Sequence, residues 1–164
     1  MARTSVGKTW WALNVIANQD KTTPMVFFSL EMHARYILQR LAGIVSNTPT
    51  IDIERSLSAT GESEGVVLAE ERYPMLAIED EPGLSVRAMS LALEEYADNF
   101  GQRARLAVVD YMELVRSPGM SQVESVDKLG WSLKDFARKE DIALVVLHQV
   151  KRGDGNQGHQ PLTM

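Results

Sequence analysis

The chain has 164 residues, 45% of them hydrophobic, which is enough for one domain with a buried core. Its 17 Lys and Arg against 22 Asp and Glu leave a net charge of −5, so any contact with nucleic acid must be local rather than a coating by bulk charge. The absence of cysteine excludes disulfides, thiolate zinc sites and a thiol nucleophile, and three scattered histidines (His33, His148, His159) speak against a metal cluster.

In chain order, Gly7-Lys8-Thr9 opens a helical pattern, carried by Trp10, Leu13 and Ala17 with Trp11 and Val15 beside them, that ends near Asn18. The run PMVFFSL (24–30) reads as a buried strand, followed by a helix from Met32 to Ser46. Residues 48–73 mix turn residues with one amphipathic stretch, Glu62 to Glu71, and read as a loop and a single helix. A strand PMLAIED (74–80) leads to a helix capped by Ser85 and running through Phe100. The run RLAVVDYMEL (105–114) is a third strand. Ser121 then caps a helix through Lys139 with Glu124, Lys128, Lys134 and Asp135 on its wet face, and IALVVLHQV (142–150) is the fourth strand. The tail 152–164 has three glycines and a proline without periodicity, and reads as a mobile loop or frayed end. Continuous apolar strands alternating with helices predict an α/β parallel sheet with right-handed crossovers. The whole of 1–164 reads as one domain.

A phosphate-binding loop needs backbone N–H groups around an anion, a helix N-terminus aimed at it, a lysine for the phosphates and a hydroxyl for Mg²⁺. Residues 2–9 supply most of this: Gly7 permits close backbone approach, Lys8 the charge and Thr9 the hydroxyl, although Ala2 stands where the strict pattern has its first glycine. Three strand ends add chemistry. Asp110 follows LAVV, as an aspartate holding Mg²⁺ through water would, and is equally compatible with an ordinary strand-end acid. Glu31 follows VFFSL and suits either a catalytic base or an acid favoured by a helix N-terminus. Gln149 ends ALVVLHQ and suits either a phosphate sensor or a partner for strand-end backbone.

Together, ARTSVGKT, FFSLEM, LAVVDYMEL and LVVLHQVKR resemble, in order and spacing, the ATPase motor domain of DnaB-like replicative DNA helicases in the RecA-like P-loop superfamily. IEDEPGLSV (78–86) resembles a further segment of that family, which also tolerates alanine at the first glycine position. The resemblance implies a RecA-like P-loop core, a mainly parallel sheet flanked by helices, lacking the strand before the phosphate loop and the C-terminal strands. It implies ATP and Mg²⁺ as ligands. Thr4, Ser5, Val6, Gly7, Lys8 and Thr9 would form the nucleotide cradle, with Thr4 where many relatives have proline. Lys8 would serve the β/γ-phosphates, Thr9 and Asp110 the metal, Glu31 the attacking water and Gln149 the sensing of the γ-phosphate. Lys151 and Arg152 follow the sensor and suit either phosphate or DNA contact, or simple exposure.

The family's DNA-contacting loop and arginine finger find no counterpart in these 164 residues, and neither does its primase-contacting N-terminal domain, so the expectation is a motor core cut at both ends. Two functions follow. One is the core of a helicase, working as a hexameric ring that hydrolyses ATP, moves on single-stranded DNA and unwinds duplex. The other is a non-catalytic nucleotide-binding or interaction module derived from a RecA-like ATPase. RecA-like ATPases of recombination or clock control share the loop and the aspartate strand, while FFSLEM and VVDYMEL favour the helicase branch. With no run of about 18 apolar residues and no secretory layout in Met1 to Asn18, a cytoplasmic protein without membrane contact is expected. The resemblance to RecA-like cores implies the sheet order 74–80, 24–30, 105–110, 142–148, with the missing pre-loop strand leaving the last strand one open edge; the expectation is self-association through 142–148, with weak protection at Val145 and Val146 in dilute monomer, or local disorder of residues 1–8.

Overall fold

The computed structural model of the chain describes residues 7–116 and 122–149. Its elements are helix α1 (Lys8–Ala17), strand β1 (Met25–Ser29), helices α2 (Ala34–Ser46), α3 (Thr50–Thr60) and α4 (Glu64–Arg72), and strand β2 (Leu76–Glu79). Helix α5 (Val86–Phe100), strand β3 (Leu106–Asp110), a 3-10 turn (Met112–Leu114), helix α6 (Gln122–Lys139) and strand β4 (Ala143–Val146) follow. The Ser121 cap, the tail 152–164, and Lys151 with Arg152 lie outside the described residues.

The four strands form one parallel sheet in the order β2-β1-β3-β4, as expected from the sequence. Met25 stands opposite both Leu76 and Leu106, and Leu106 opposite Ala143, so all four strands are in step. Every residue of β1 and β3 is buried, which explains why their sequences are unbroken apolar runs. Alternate side chains feed two cores. Val26, Phe28, Ala107 and Val109 pack under α5 and α6, through Met89, Leu93, Leu133 and Phe136. Met25, Phe27, Leu106 and Val108 pack under α1 to α4, through Leu13, Ile16, Ile37, Leu41, Ile53 and Ala69. Two buried tyrosines satisfy their hydroxyls at the ends of elements: Tyr73 donates to the carbonyl of Ala17, the last residue of α1, and Tyr96 to that of Met75, just before β2, each at 2.7 Å.

Several boundaries differ from the sequence reading. Residues 48–73 hold two helices, not one. Pro49 starts α3 and Gly61 stops it in the left-handed region at φ 78°, with Ile53 as its buried anchor. The strand read over 105–114 ends at Asp110, and the apolar residues after it turn inward as a 3-10 turn that buries Met112, because hydrophobicity alone does not distinguish strand from buried turn. On α1 the buried face is Thr9, Ala12, Leu13 and Ile16, whereas Trp10 and Trp11 are 40% and 59% exposed. Ser85 caps α5 as expected, accepting from the Ala88 N–H at 3.2 Å. Lys128, Lys134 and Asp135 face solvent on α6 while Leu129, Leu133 and Phe136 are buried.

Strand β4 pairs with β3 alone among the described residues. Ala143 and Leu147 both donate their N–H to β3, at 2.9 and 3.0 Å from the carbonyls of Arg105 and Val109. Alternation along a parallel strand turns the Val145 N–H inward as well and leaves Leu144 and Val146 facing the open side. The expected weak protection of Val145 is therefore corrected; Leu144 takes its place. Amide exchange should be slow at Val145, at least about tenfold faster at Leu144 and Val146 in dilute solution, and slower at those two as concentration rises. Uniform, concentration-independent protection of all three would mean that this edge is covered within one chain.

Candidate phosphate and metal site

A parallel sheet delivers every strand's C-terminus to one rim, and there the start of α1 meets the end of β3 and the turns leaving β3 and β4, through Asp110, Tyr111 and His148. Gly7 is the N-cap of α1 with φ 76° and ψ 21°, and neither a side-chain cap nor an acidic residue occupies the first turn. Among the described residues no side chain claims the N–H groups of that turn, and the positive end of the helix dipole lies behind them. The φ of Gly7, 76°, lies in the left-handed region that favours glycine, and among the described residues a Cβ there would meet nothing within 4 Å.

Directly behind this helix start, the Thr9 hydroxyl donates to Asp110 Oδ2 at 2.6 Å, a buried bond between residues 101 apart in sequence. Asp110 is only 2% exposed. Burial raises its pKa above the usual carboxylate range, opposed by the Thr9 hydrogen bond and by the positive charges of Lys8 and Arg40. A carboxylate kept dry beside a hydroxyl is a pair of hard oxygen donors. Such a pair suits Mg²⁺, which takes one or two protein oxygens and fills its remaining positions with water and phosphate. No cluster of three or more His, Cys, Asp or Glu suited to a metal occurs among the described residues.

The Lys8 ammonium has two light contacts: the His148 carbonyl at 3.4 Å and the ring of Tyr111, 5.6 Å from its centroid. Neither holds it as a carboxylate would, so it remains available to an anion. Tyr111 follows Asp110 across a cis peptide. Its pKa is raised by burial and then by the nearby charges of Glu31, Glu113 and Asp110.

Glu31 is exposed in the bend after β1. That bend is tied down at several points: Leu30 N–H donates to the Asp110 carbonyl at 2.9 Å, and Ser29 Oγ to the Met32 carbonyl at 2.5 Å. Helix α2 gets no cap from its own N-cap residue, His33; instead Asp80, just past β2, accepts from the Ala34 N–H at 2.7 Å and lies 3.4 Å from His33 Nδ1. These bonds hold Asp80 below the usual carboxylate range, the Ala34 N–H first among the causes that lower it. Gln149 is also exposed, in the turn beyond β4, where its backbone N–H donates to Glu113 Oε1 at 2.7 Å.

The structure therefore brings Gly7, Lys8, Thr9 and Asp110 together, with Glu31 and Gln149 on the adjoining strand ends. Thr4, Ser5 and Val6 lie outside the described residues. Sequence reasoning passed over Tyr111, Glu113, His148 and Asp80. All four sit inside segments it quoted, yet nothing in a linear string shows that the turn after β3 touches the turn after β4 or that Asp80 reaches the start of α2.

The family model for the DnaB-like helicase C-terminal domain matches residues 1–163. The chain belongs to that family. It is 31% identical to the replicative DNA helicase DnaB of Pasteurella multocida over 92% of its own length and 34% of that protein's. Against the Nostoc DnaB the identity is 28%, over 92% and 18%, and against the replicative helicase DnaC of Bacillus subtilis 27%, over 98% and 37%. The chain thus spans between about a sixth and two fifths of these relatives. A solved ATPase domain matches its fold at a TM-score of 0.72 and 24% identity, over 92% of this chain and 55% of the other. A DnaB-like replicative helicase, solved in a study of its interactions with primase, matches with the same score and identity over 92% and 38%. The RecA-like architecture expected from the sequence is thereby established.

Because the folded state favours the neutral form of Asp110, the stability tied to this group is full below its unfolded pKa and is lost as pH rises through the higher folded value. Asp110→Asn should keep the acceptor for Thr9 and remove the buried charge. Thermal melts without metal should show the variant gaining on wild type as pH rises. A difference in Tm that is flat with pH would refute the buried-charge account.

Proposed function

We propose that this chain is the nucleotide-hydrolysing core of a DnaB-like helicase motor. The observation that carries the reading is the buried Thr9–Asp110 hydrogen bond directly behind an uncapped helix start at Gly7. In this assignment the first-turn N–H groups of α1, together with Thr4, Ser5 and Val6, cradle the phosphates of ATP, and Lys8 neutralises the β/γ-phosphates. Thr9 and Asp110 hold Mg²⁺, which when bound supplies charge stabilisation at the transferring phosphoryl group. Glu31 orients the attacking water and accepts its proton; its exposed place beyond β1 leaves it free to do so. Gln149, beyond β4, senses the γ-phosphate. Phosphoryl transfer asks for positioning and charge more than for covalent chemistry, and three strand ends around one helix start provide that division of labour.

In the whole protein, the same reading assigns a hexameric ring with ATP between subunits, movement on single-stranded DNA, unwinding of duplex, and work in the cytoplasm. No helix among the described residues is long and apolar enough to cross a membrane.

Calorimetry with Mg-ATP tests the assignment. Lys8→Ala should weaken binding at least about tenfold, since a charge-assisted contact is worth roughly 1.5–3 kcal/mol. Glu31→Gln should bind like wild type while abolishing hydrolysis in a ring-forming protein. Equal affinity for wild type and Lys8→Ala would remove Lys8 from the phosphate site, and wild-type turnover by Glu31→Gln would reduce Glu31 to a helix-start acid.

A further inference from the structure

We propose that Glu113 is a positioning residue of this site: its carboxylate clamps the turn beyond β4 and thereby presents Gln149 beside Asp110 and Lys8. The proposal rests on the nucleotide-site reading above and adds to it a residue that touches no ligand.

The β3–β4 ladder ends with Val109 opposite Val146, plus the bond from Leu147 N–H to the Val109 carbonyl. Backbone beyond a ladder has no partners built into the sheet, and must find others or remain loose. Here it finds them on the 3-10 turn that follows Asp110. Met112 N–H donates to the Leu147 carbonyl at 2.8 Å. Glu113 Oε1 accepts from the Gln149 N–H at 2.7 Å and lies 2.9 Å from His148 Nδ1. The contact with His148 needs a proton on Nδ1. Glu113 itself is largely withdrawn from solvent, its side chain 23% exposed. A charged acceptor in such a place makes shorter and stronger bonds than a neutral one.

The geometry ties three functional positions together. Glu113 is three residues past Asp110, on a turn whose first residue, Met112, is buried in the core under α5 and α6. Its carboxylate sets the start of the Gln149 side chain by fixing the backbone there. It also fixes His148, whose carbonyl is one of the two contacts of Lys8. With Glu113 removed, the ladder would still end at Leu147, but the next two residues would lose their side-chain anchor, while Thr9 and Asp110 kept their bond and Lys8 kept its contact with the Tyr111 ring. The expected loss is therefore one of presentation: nucleotide still binds and Gln149 no longer reports it.

The test uses the full chain, isotope-labelled, with Mg²⁺ and a non-hydrolysable ATP analogue, observing the Gln149 side-chain amide by NMR. In wild type that amide should shift on binding. Glu113→Ala should bind the analogue within about threefold of wild type, yet lose the Gln149 shift, and its Gln149 backbone amide should exchange at least about tenfold faster. Glu113→Gln, which keeps a carbonyl acceptor, should restore the shift. Should Glu113→Ala fail to fold, Glu113→Leu fills the same volume without an acceptor and carries the same expectation. A Gln149 shift that survives Glu113→Ala or Glu113→Leu overturns the positioning role and leaves the nucleotide site standing. Wild type that fails to bind the analogue overturns both.

Discussion

The site depends on one hydrogen bond, from the hydroxyl of Thr9 to the carboxylate of Asp110, 2.6 Å long and sealed from solvent. It joins the first turn of α1 to the last residue of β3. For it to form, the helix must start at the rim where the parallel strands end, and β3 must lie in the interior of the sheet, paired on both sides. The fold meets both conditions through its apolar layers. Leu13 and Ile16 seat α1 on the face that Leu106 and Val108 present, and those same strand residues alternate with Ala107 and Val109 facing α5 and α6.

That arrangement places a charge where burial disfavours it. Asp110 is stabilised by a hydroxyl and by the fields of Lys8 and Arg40, and burial still outweighs them in the direction of its pKa. A protein selected only for stability has no use for such a group. A divalent cation beside the carboxylate would favour its charged form. Around this centre the turns are held from outside the sheet: Leu30 by the Asp110 carbonyl, Ala34 by Asp80, and Gln149 by Glu113. Two of these anchors come from the end of β3 and the turn after it and one from the end of β2, and they hold the turns after β1 and β4, so the rim is one connected surface and not a set of independent loops.

Much of this was legible in the sequence. The four apolar runs and their parallel pairing follow from burial on both faces and from the alternation with helices, because a strand such as VFF has no polar side to expose; their order in the sheet came from the family resemblance. Gly7-Lys8-Thr9, Asp110, Glu31 and Gln149 stand out because each interrupts or ends an apolar pattern. Other features were hidden for physical reasons. Helix α3 is rich in Thr, Ser and Asp, which favour turns locally, and it holds its place through Ile53; only Pro49 and Gly61 mark its ends. MEL after Asp110 has the hydrophobicity of a strand and the geometry of a turn, since what it buries against is the core under α5 and α6. Trp10 and Trp11 carry the largest apolar side chains of α1 yet point outward, because the small and branched residues beside them fit the sheet. Asp80 and Glu113 act across 46 and 36 residues, and such pairings are properties of the folded chain alone.

If Thr9 and Asp110 hold one metal ion jointly, their contributions to Mg-dependent nucleotide affinity cannot be independent. A double-mutant cycle of Thr9→Val, Asp110→Asn and the pair, measured by titration with Mg-ATP and repeated with ATP in chelator, tests this most directly. The account predicts that each single variant loses most of the Mg-dependent part of the affinity and that the double variant loses little more. Additive losses, or equal losses in the presence of chelator, would contradict a shared metal site and with it the central role of this hydrogen bond.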